Sequence, residues 1–242
     1  RKFLAWIPWP VLILAVGVVA WRVAGFRVAM LSWFGLSLIG VMGMWAPTML
    51  TLSQVVVALT ATLMLAIPLG VLASRSDRLD AVLRPILDTM QTLPAFIYLI
   101  PAFYLFGLGA PGAILATVIY ALPPIVRLFN LGIRQVPEGV DEAATSFGAT
   151  RVQSLIKVKI PLAVPAIKLG INQTVMMALA LVVLATFIGA PGLGEIVLRG
   201  MQRLNVGKAL EGGLAIVLMA ILFDRVTYAI GHVQRTTVKG RT

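Results

Sequence analysis

The chain has no cysteine, one histidine at His232, and nine acidic residues among 242. Without cysteine there is no disulfide, no thiolate nucleophile and no cysteine-bound metal, and one histidine cannot form a ligand cluster. No segment reads G-x-x-x-x-G-K-[ST], so the chain offers no phosphate-cradling loop of its own. Gly107, Gly109 and Gly112 fit G-x-G-x-x-G, but they join two apolar runs rather than a strand to a helix, and no acidic ribose partner follows. A turn between membrane helices is the better reading. Ion-coupled carriers need ionisable groups at membrane depth, whereas the acidic residues here fall mostly in expected loops. Only Asp224 and Arg225 come near that depth, and they read as a snorkelling arginine beside an acid that pairs locally.

What is present is apolar. Hydrophobic residues make up 60% of the chain and charged ones 12%, with a mean hydropathy of +0.98, which points to a polytopic membrane protein. The net charge of +11 is not read as a nucleic-acid footprint, because no basic run is interleaved with aromatics; such residues gather in cytoplasmic loops facing anionic lipid. Apolar runs at 8–24, 28–46, 49–73, 93–108, 111–131, 162–188 and 210–231 give an all-α transmembrane bundle of about seven spans. The tight connection at 107–112 would also let the fourth and fifth runs form a buried hairpin.

If the polar loop 132–161 is cytoplasmic, fifteen of the twenty Lys and Arg residues lie inside and Arg1, Lys2, Arg199, Arg203 and Lys208 lie outside. That bias places the N-terminus outside and the C-terminus in the cytoplasm. A six-span variant, with the first run lying along the interface, would put Arg1 inside. The chain divides into a two-helix extension, 1–46, and a core, 47–242, with the break at Ala46 and Pro47. Because it opens on Arg1 rather than methionine, an upstream segment is expected.

The stretch 137–161, PEGVDEAATSFGATRVQSLIKVKIP, is the long polar interruption in this apolar half. Pro137 suits a first helical turn, and Glu138, Asp141 and Glu142 complement the positive end of the helix dipole. Gly148 ends that helix. Thr150 and Gln153 have capping-box spacing and restart a second helix, which Pro161 is expected to limit. Val140, Ala143, Ala144 and Phe147 recur at i, i+3, i+4, i+7, giving a small apolar face with one aromatic knob. Such a face fits a partner's groove, with Glu142 at the rim; the alternative is a helix lying on lipid headgroups, against which the helix carries no Lys or Arg.

Glu142, Ala143 and Ala144, then three residues, Gly148, then nine residues, Val158, Lys159, Ile160 and Pro161, resemble the cytoplasmic E-A-A-x3-G-x9-I-x-L-P motif of ABC importer permeases. Val158 and Ile160 stand where the motif has Ile and Leu. Around it, LDTMQTLPAFIYLIPAFYLFGLG, ALPPIVRLFNLGIRQVPEGVDEAATSFGA and NQTVMMALALVVLATFIGAPGLG are similar to the glycine betaine/proline branch of that family, and the resemblance covers roughly 49–231. It implies the type I importer permease fold and a membrane subunit that hydrolyses no ATP. It also implies a second permease copy, two ABC ATPase subunits that carry ATP and Mg, and an external substrate-binding protein, with no cofactor in this chain. Under the resemblance Val140, Asp141, Glu142, Ala143, Ala144, Phe147, Gly148 and Arg151 form the ATPase-docking surface. A self-sufficient ion-coupled transporter or channel is the alternative.

Polar residues inside apolar runs need partners or water. Gln54, Thr60, Thr62, Asn172, Gln173 and Thr174 are therefore candidates for the translocation path or for interhelical hydrogen bonds. Phe96, Tyr98, Phe103, Tyr104, Phe106 and Tyr120 offer faces for a quaternary ammonium, although aromatics in such runs more often pack. In the outer segment 189–213, Ile196, Leu198, Met201 and Leu204 with Glu195, Arg199 and Arg203 suggest a surface helix that serves as an external gate or a binding-protein contact.

Overall fold

The computed structural model describes residues 9–236. Arg1, Lys2, Lys239 and Arg241, which entered the charge count, lie outside the described residues, and His232 and Arg235 are described as helix backbone only. The helices in order are α1 Trp9–Ala24, α2 Phe26–Val41, α3 Trp45–Arg75, α4 Asp77–Thr92, α5 Leu99–Phe106 and α6 Ala110–Arg134. They continue as α7 Glu138–Ser146, α8 Arg151–Ser154, α9 Ile160–Leu184, α10 Leu193–Gln202 and α11 Val206–Thr236. Short 3-10 turns occupy Ala95–Tyr98 and Ala185–Ile188, and no strand occurs among the described residues.

Four helical runs are long and apolar enough to cross a membrane: Trp45–Arg75, Ala110–Arg134, Arg151–Ile188 and Val206–Thr227. A fifth results if α4 and α5, bent by 108° at their junction, count as one span. Among the described residues, four or five helices are thus of spanning length, and the expected count of about seven is not confirmed. The described parts of α1 and α2 are 16 residues each, ~24 Å at a rise of ~1.5 Å per residue against a hydrocarbon core ~30 Å thick, and stand as shorter apolar helices. The expected span 93–108 contains a helix of only 8 residues, because Leu93 and Pro94 are extended and break the chain direction. A proline disfavours helical ψ in the residue before it, and Leu93 has ψ 134°.

Three packed clusters hold the bundle together. Ile13 and Ile39 of the first two helices share one with Val55, Val175, Leu193 and Met219. Tyr98, Leu99, Ala113 and Leu181 form the second, at the α5 end of α6. Ala66, Leu87, Ile125, Phe129 and Ala163 form the third, toward the end where α3 and α6 terminate. Small residues allow this close approach, as expected where apolar solvent supplies no drive for helix association. A Cβ on Gly132 of α6 would stand 2.9 Å from Ala166 Cβ of α9, closer than carbon atoms can pack. Ala46 and Pro47 sit in the first turn of α3, and the direction change lies just before them, at 42–44.

Pro161 does not end the helix that begins at Arg151, contrary to expectation. Leu155–Lys159 forms a π turn in which the Ile160 N–H donates to the Leu155 carbonyl, and the chain runs on as α9 with Pro161 in its first turn. A π turn carries an extra residue, so the ring and the missing N–H of proline pass without a break.

Candidate functional site

Helix α7 stands at the end of the bundle where α3 and α6 stop and the run into α9 starts. Its exit is built by Gly148, whose φ of +82° lies in the left-handed region. The Gly148 N–H donates to the Thr145 carbonyl at 2.9 Å and the Ala149 N–H to the Ala144 carbonyl at 3.0 Å, a Schellman cap. One residue later the capping box forms as the spacing predicted. The Thr150 N–H donates to Gln153 Oε1 at 2.8 Å and the Gln153 N–H to Thr150 Oγ1 at 3.3 Å. Two caps back to back turn the chain sharply and hold α7 across the helix that follows.

No residue of α7 is buried. Val140 is 36% exposed and Phe147, its C-cap, 93%; Ala143 and Glu142 are exposed beside them, and Ala144 is half-buried. The apolar face expected from the spacing therefore stands open, with the aromatic ring projecting. Asp141 and Arg151, grouped with it in the sequence, point elsewhere. Asp141 accepts from Lys159 Nζ at 2.7 Å and from Ser154 Oγ, tying α7 to the π turn. The Lys159 ammonium, and then the Ser154 hydroxyl, hold the Asp141 carboxyl below the ordinary aspartate range. Arg151 lines a cavity of about 440 Å³ behind α7, together with Arg75, Thr145 and Lys159.

The polar residues of the spans are mostly partnered. Gln54 is buried and donates from Nε2 to the Pro191 carbonyl at 2.6 Å, while the Leu193 N–H donates to Thr51 Oγ1 at 2.9 Å, so α3 braces the segment that leads into α10. Thr62 is buried and Thr60 exposed, and each hydroxyl donates to the carbonyl four residues back. Asn172 Nδ2 donates to Asp224 Oδ1 at 3.2 Å, and Thr227 Oγ1 donates to Asn172 Oδ1 at 2.7 Å. Asp224 thus finds its partner on α9 rather than beside itself at Arg225, which corrects the local-pair expectation. Thr174 is buried with its hydroxyl unpartnered among the described residues, and Gln173 is exposed.

In the segment 189–213, α10 forms as expected. Glu195 pairs with Arg199 at 2.5 Å, and Arg199 and Arg203 line a hollow of about 190 Å³ with Lys208. Beyond α10, Leu204 is 90% exposed at a φ of +54°. The aromatic candidates do not form one cage. Tyr98 and Tyr120 pack together at 5.5 Å with Tyr98 buried, Phe103 stacks edge-on with its neighbour Tyr104, and Phe96 meets Phe187 edge-on at 5.3 Å. The glycine run near 107 is a turn joining α5 to α6, in which the Gly109 N–H donates to the Ile188 carbonyl at 2.8 Å.

A set of charges on α4 and α6 escaped the sequence reading, which placed most acids in loops. Ser76 caps α4 by accepting from the Leu79 N–H at 3.3 Å, and the helix then runs antiparallel to α6. Asp80, 5% exposed, accepts from Arg84 Nη2 at 2.6 Å and Asn130 Nδ2 at 2.7 Å. Arg134 reaches Asp77 at 2.6 Å, and Arg127 pairs with Asp88 further along. Asp80, Arg84, Asp88, Arg127, Asn130 and Arg134 line a cavity of about 500 Å³ that Gln91 and Gln173 also face. The signal was available: Asp80, Arg84, Asp88 and Gln91 recur at helical spacing behind a Ser N-cap.

Residues 66–236 match the model of the binding-protein-dependent transport system inner membrane component family. The chain is 45% identical over 98% of its length to the glycine betaine/proline betaine transport system permease protein ProW of Escherichia coli K12, of which it spans 67%. It is 40% identical to the glycine betaine transport system permease protein OpuAB of Bacillus subtilis 168, over 94% of this chain and 80% of that one. Among solved structures, an inward-facing conformation of the MetNI methionine ABC transporter superposes with a TM-score of 0.64 at 25% identity, over 77% of this chain and 92% of that one. The all-α bundle is therefore the type I ABC importer permease fold, as the resemblance implied. The chain belongs to the family of binding-protein-dependent transport system inner membrane components.

Proposed function

We propose that this chain is the permease subunit of an ATP-driven importer for glycine betaine, proline betaine or related compatible solutes. The observation that carries the reading is α7: an apolar helix face with its aromatic knob 93% exposed, rigidly capped at the end of a membrane bundle. An exposed aromatic on an ordered surface element has a partner as its natural explanation. Here the partner is one of two ABC ATPase subunits, which hold ATP and Mg; a second permease copy and an external binding protein complete the assembly. Loop 132–161 is cytoplasmic, the N-terminus outside and the C-terminus inside, with 1–46 an extension on a 47–242 core. Val140, Glu142, Ala143, Ala144 and Phe147 dock, Gly148 shapes the turn, and Asp141 and Arg151 brace the rear. Glu195, Arg199 and Arg203 contact the binding protein or gate the outer face. Of the path candidates, Gln54 and Asn172 tie their helices to neighbouring elements, Thr60 and Thr62 bond back within α3, Thr174 lies in the interior, and Gln173 faces the polar cavity.

ATPase closure favours one arrangement of the spans, so binding energy at α7 shifts access across the membrane. The test is uptake of labelled glycine betaine into liposomes. The complete assembly with internal ATP should accumulate it, and this chain alone under a proton or sodium gradient should not. Gradient-driven uptake by the chain alone would establish the self-sufficient carrier instead.

A further inference from the structure

The cavity between α4 and α6 contains three guanidinium groups and two carboxylates, and each carboxylate is held by an arginine. Asp80 with Arg84, and Asp88 with Arg127, form two rungs about 12 Å apart along α4, given a rise of ~1.5 Å per residue. Arg84 and Asp88 have side chains 68% and 63% exposed. Half-bare charges on a membrane bundle cannot face hydrocarbon, where each costs several kcal/mol, so this face is wet or covered by polar protein. Gln173 extends it inward. It lies on the Arg151–Ile188 run, 22 residues from the first end and 15 from the second, well inside the apolar length, yet it is exposed to the same cavity. The break at Leu93 and Pro94, just past Gln91, adds to this, because irregular backbone at membrane depth is tolerated where protein buries it or where it lines water.

We infer that this α4–α6 face, with Gln91 and Gln173 at its inner end, is the cytoplasmic half of the solute path and is built to pass net-neutral zwitterions. The inference rests on the transport reading above. A glycine betaine molecule carries a fixed ammonium and a carboxylate. A wall of carboxylates already paired with guanidiniums offers it alternating partial charge without a bare ion of either sign to trap it, which suits release rather than retention. The third guanidinium, Arg134, is engaged by Asp77 at the rim, so a cationic solute finds no free carboxylate to bind there.

The natural absence of cysteine makes the test direct. Gln91→Cys, Gln173→Cys and, as a control away from the cavity on the apolar α5, Leu105→Cys are assembled with the ATPase and binding protein in inside-out vesicles. They are then treated with the membrane-impermeant reagent ethyltrimethylammonium methanethiosulfonate. Positions 91 and 173 should react about ten-fold faster than 105, and the added cation should cut ATP-driven betaine uptake about as strongly. Labelling no faster than at 105 overturns the inference, as does fast labelling with uptake unchanged. An unlabelled parent assembly that moves no betaine defeats the transport reading instead, while labelling rates still decide whether the face is wet.

Discussion

Lys159 Nζ lies 2.7 Å from Asp141 Oδ2, joining the first turn of α7 to the π turn that leads into α9. The two residues are 18 apart in sequence and lie on opposite sides of the Gly148 turn. A docking helix attached only through a loop would move without moving anything else. This pair ties α7 to the Arg151–Ile188 run, with Ser154 as a second tie to the same carboxylate.

Cutting the tie should uncouple rather than unfold. In Lys159→Met, ATPase binding is expected to persist while ATP-driven betaine uptake falls about five-fold or more, the low end of a typical coupling energy. Uptake in proteoliposomes beside ATPase co-purification reads both quantities. Full uptake would remove the pair from transmission.

The tie also has a definite pH window. Its carboxylate titrates below the ordinary aspartate value, so its contribution is full above the unfolded value of about 3.9 and is lost as pH falls through the lower folded one. The difference in thermal midpoint between the parent and Asp141→Asn should therefore stay constant from pH 8 to about 5 and vanish only below about 4. A difference that decays between pH 8 and 6 would mean the carboxylate is not held by Lys159.

Gly148 is required by backbone geometry. A Cβ there would meet no atom within 4 Å, so the cost of a side chain is conformational alone, about 1–2 kcal/mol for an L residue in the left-handed region. Gly148→Ala should speed hydrogen exchange of the Ala149 amide, which the cap protects, and Gly148→Asn should do so less because asparagine tolerates that region. Equal exchange in all three would contradict the cap.

Just past α10, Leu204 holds the same kind of backbone with the wrong residue type. Its amide donates to the Met201 carbonyl at 3.1 Å and the next amide to Gly200 at 2.8 Å, a Schellman cap closed by leucine. Replacement by glycine relieves the steric cost less the entropy of glycine, a net gain of about 0.5–1 kcal/mol. The thermal midpoint of Leu204→Gly should rise, and a fall would mean the exposed side chain has a stabilising contact.

Much of the structure of 137–161 was legible because its signals are local. Thr150 with Gln153, the glycine after Phe147 and the apolar spacing of Val140, Ala143, Ala144 and Phe147 each act within one or two turns. What failed depends on partners far along the chain. Asp80 looked like a loop acid until α6 supplied Asn130 and Arg134 fifty residues away, and Asp224 gained Asn172 over a similar distance. Pro161 was read by its usual effect on an α-helix, and no sequence signal marked the π turn that lets the helix pass. The count of about seven is not confirmed because hydropathy measures apolarity and not helix length, and the described parts of α1 and α2 are 16 residues each.

The most direct test is the affinity of the purified ATPase for this permease in lipid nanodiscs, measured with Phe147 intact and with Phe147→Asp. If α7 is the docking helix, a charge in place of its 93% exposed ring should weaken binding at least about ten-fold, or ~1.4 kcal/mol, with insertion and thermal midpoint unchanged. An unchanged Kd would contradict the docking role of α7.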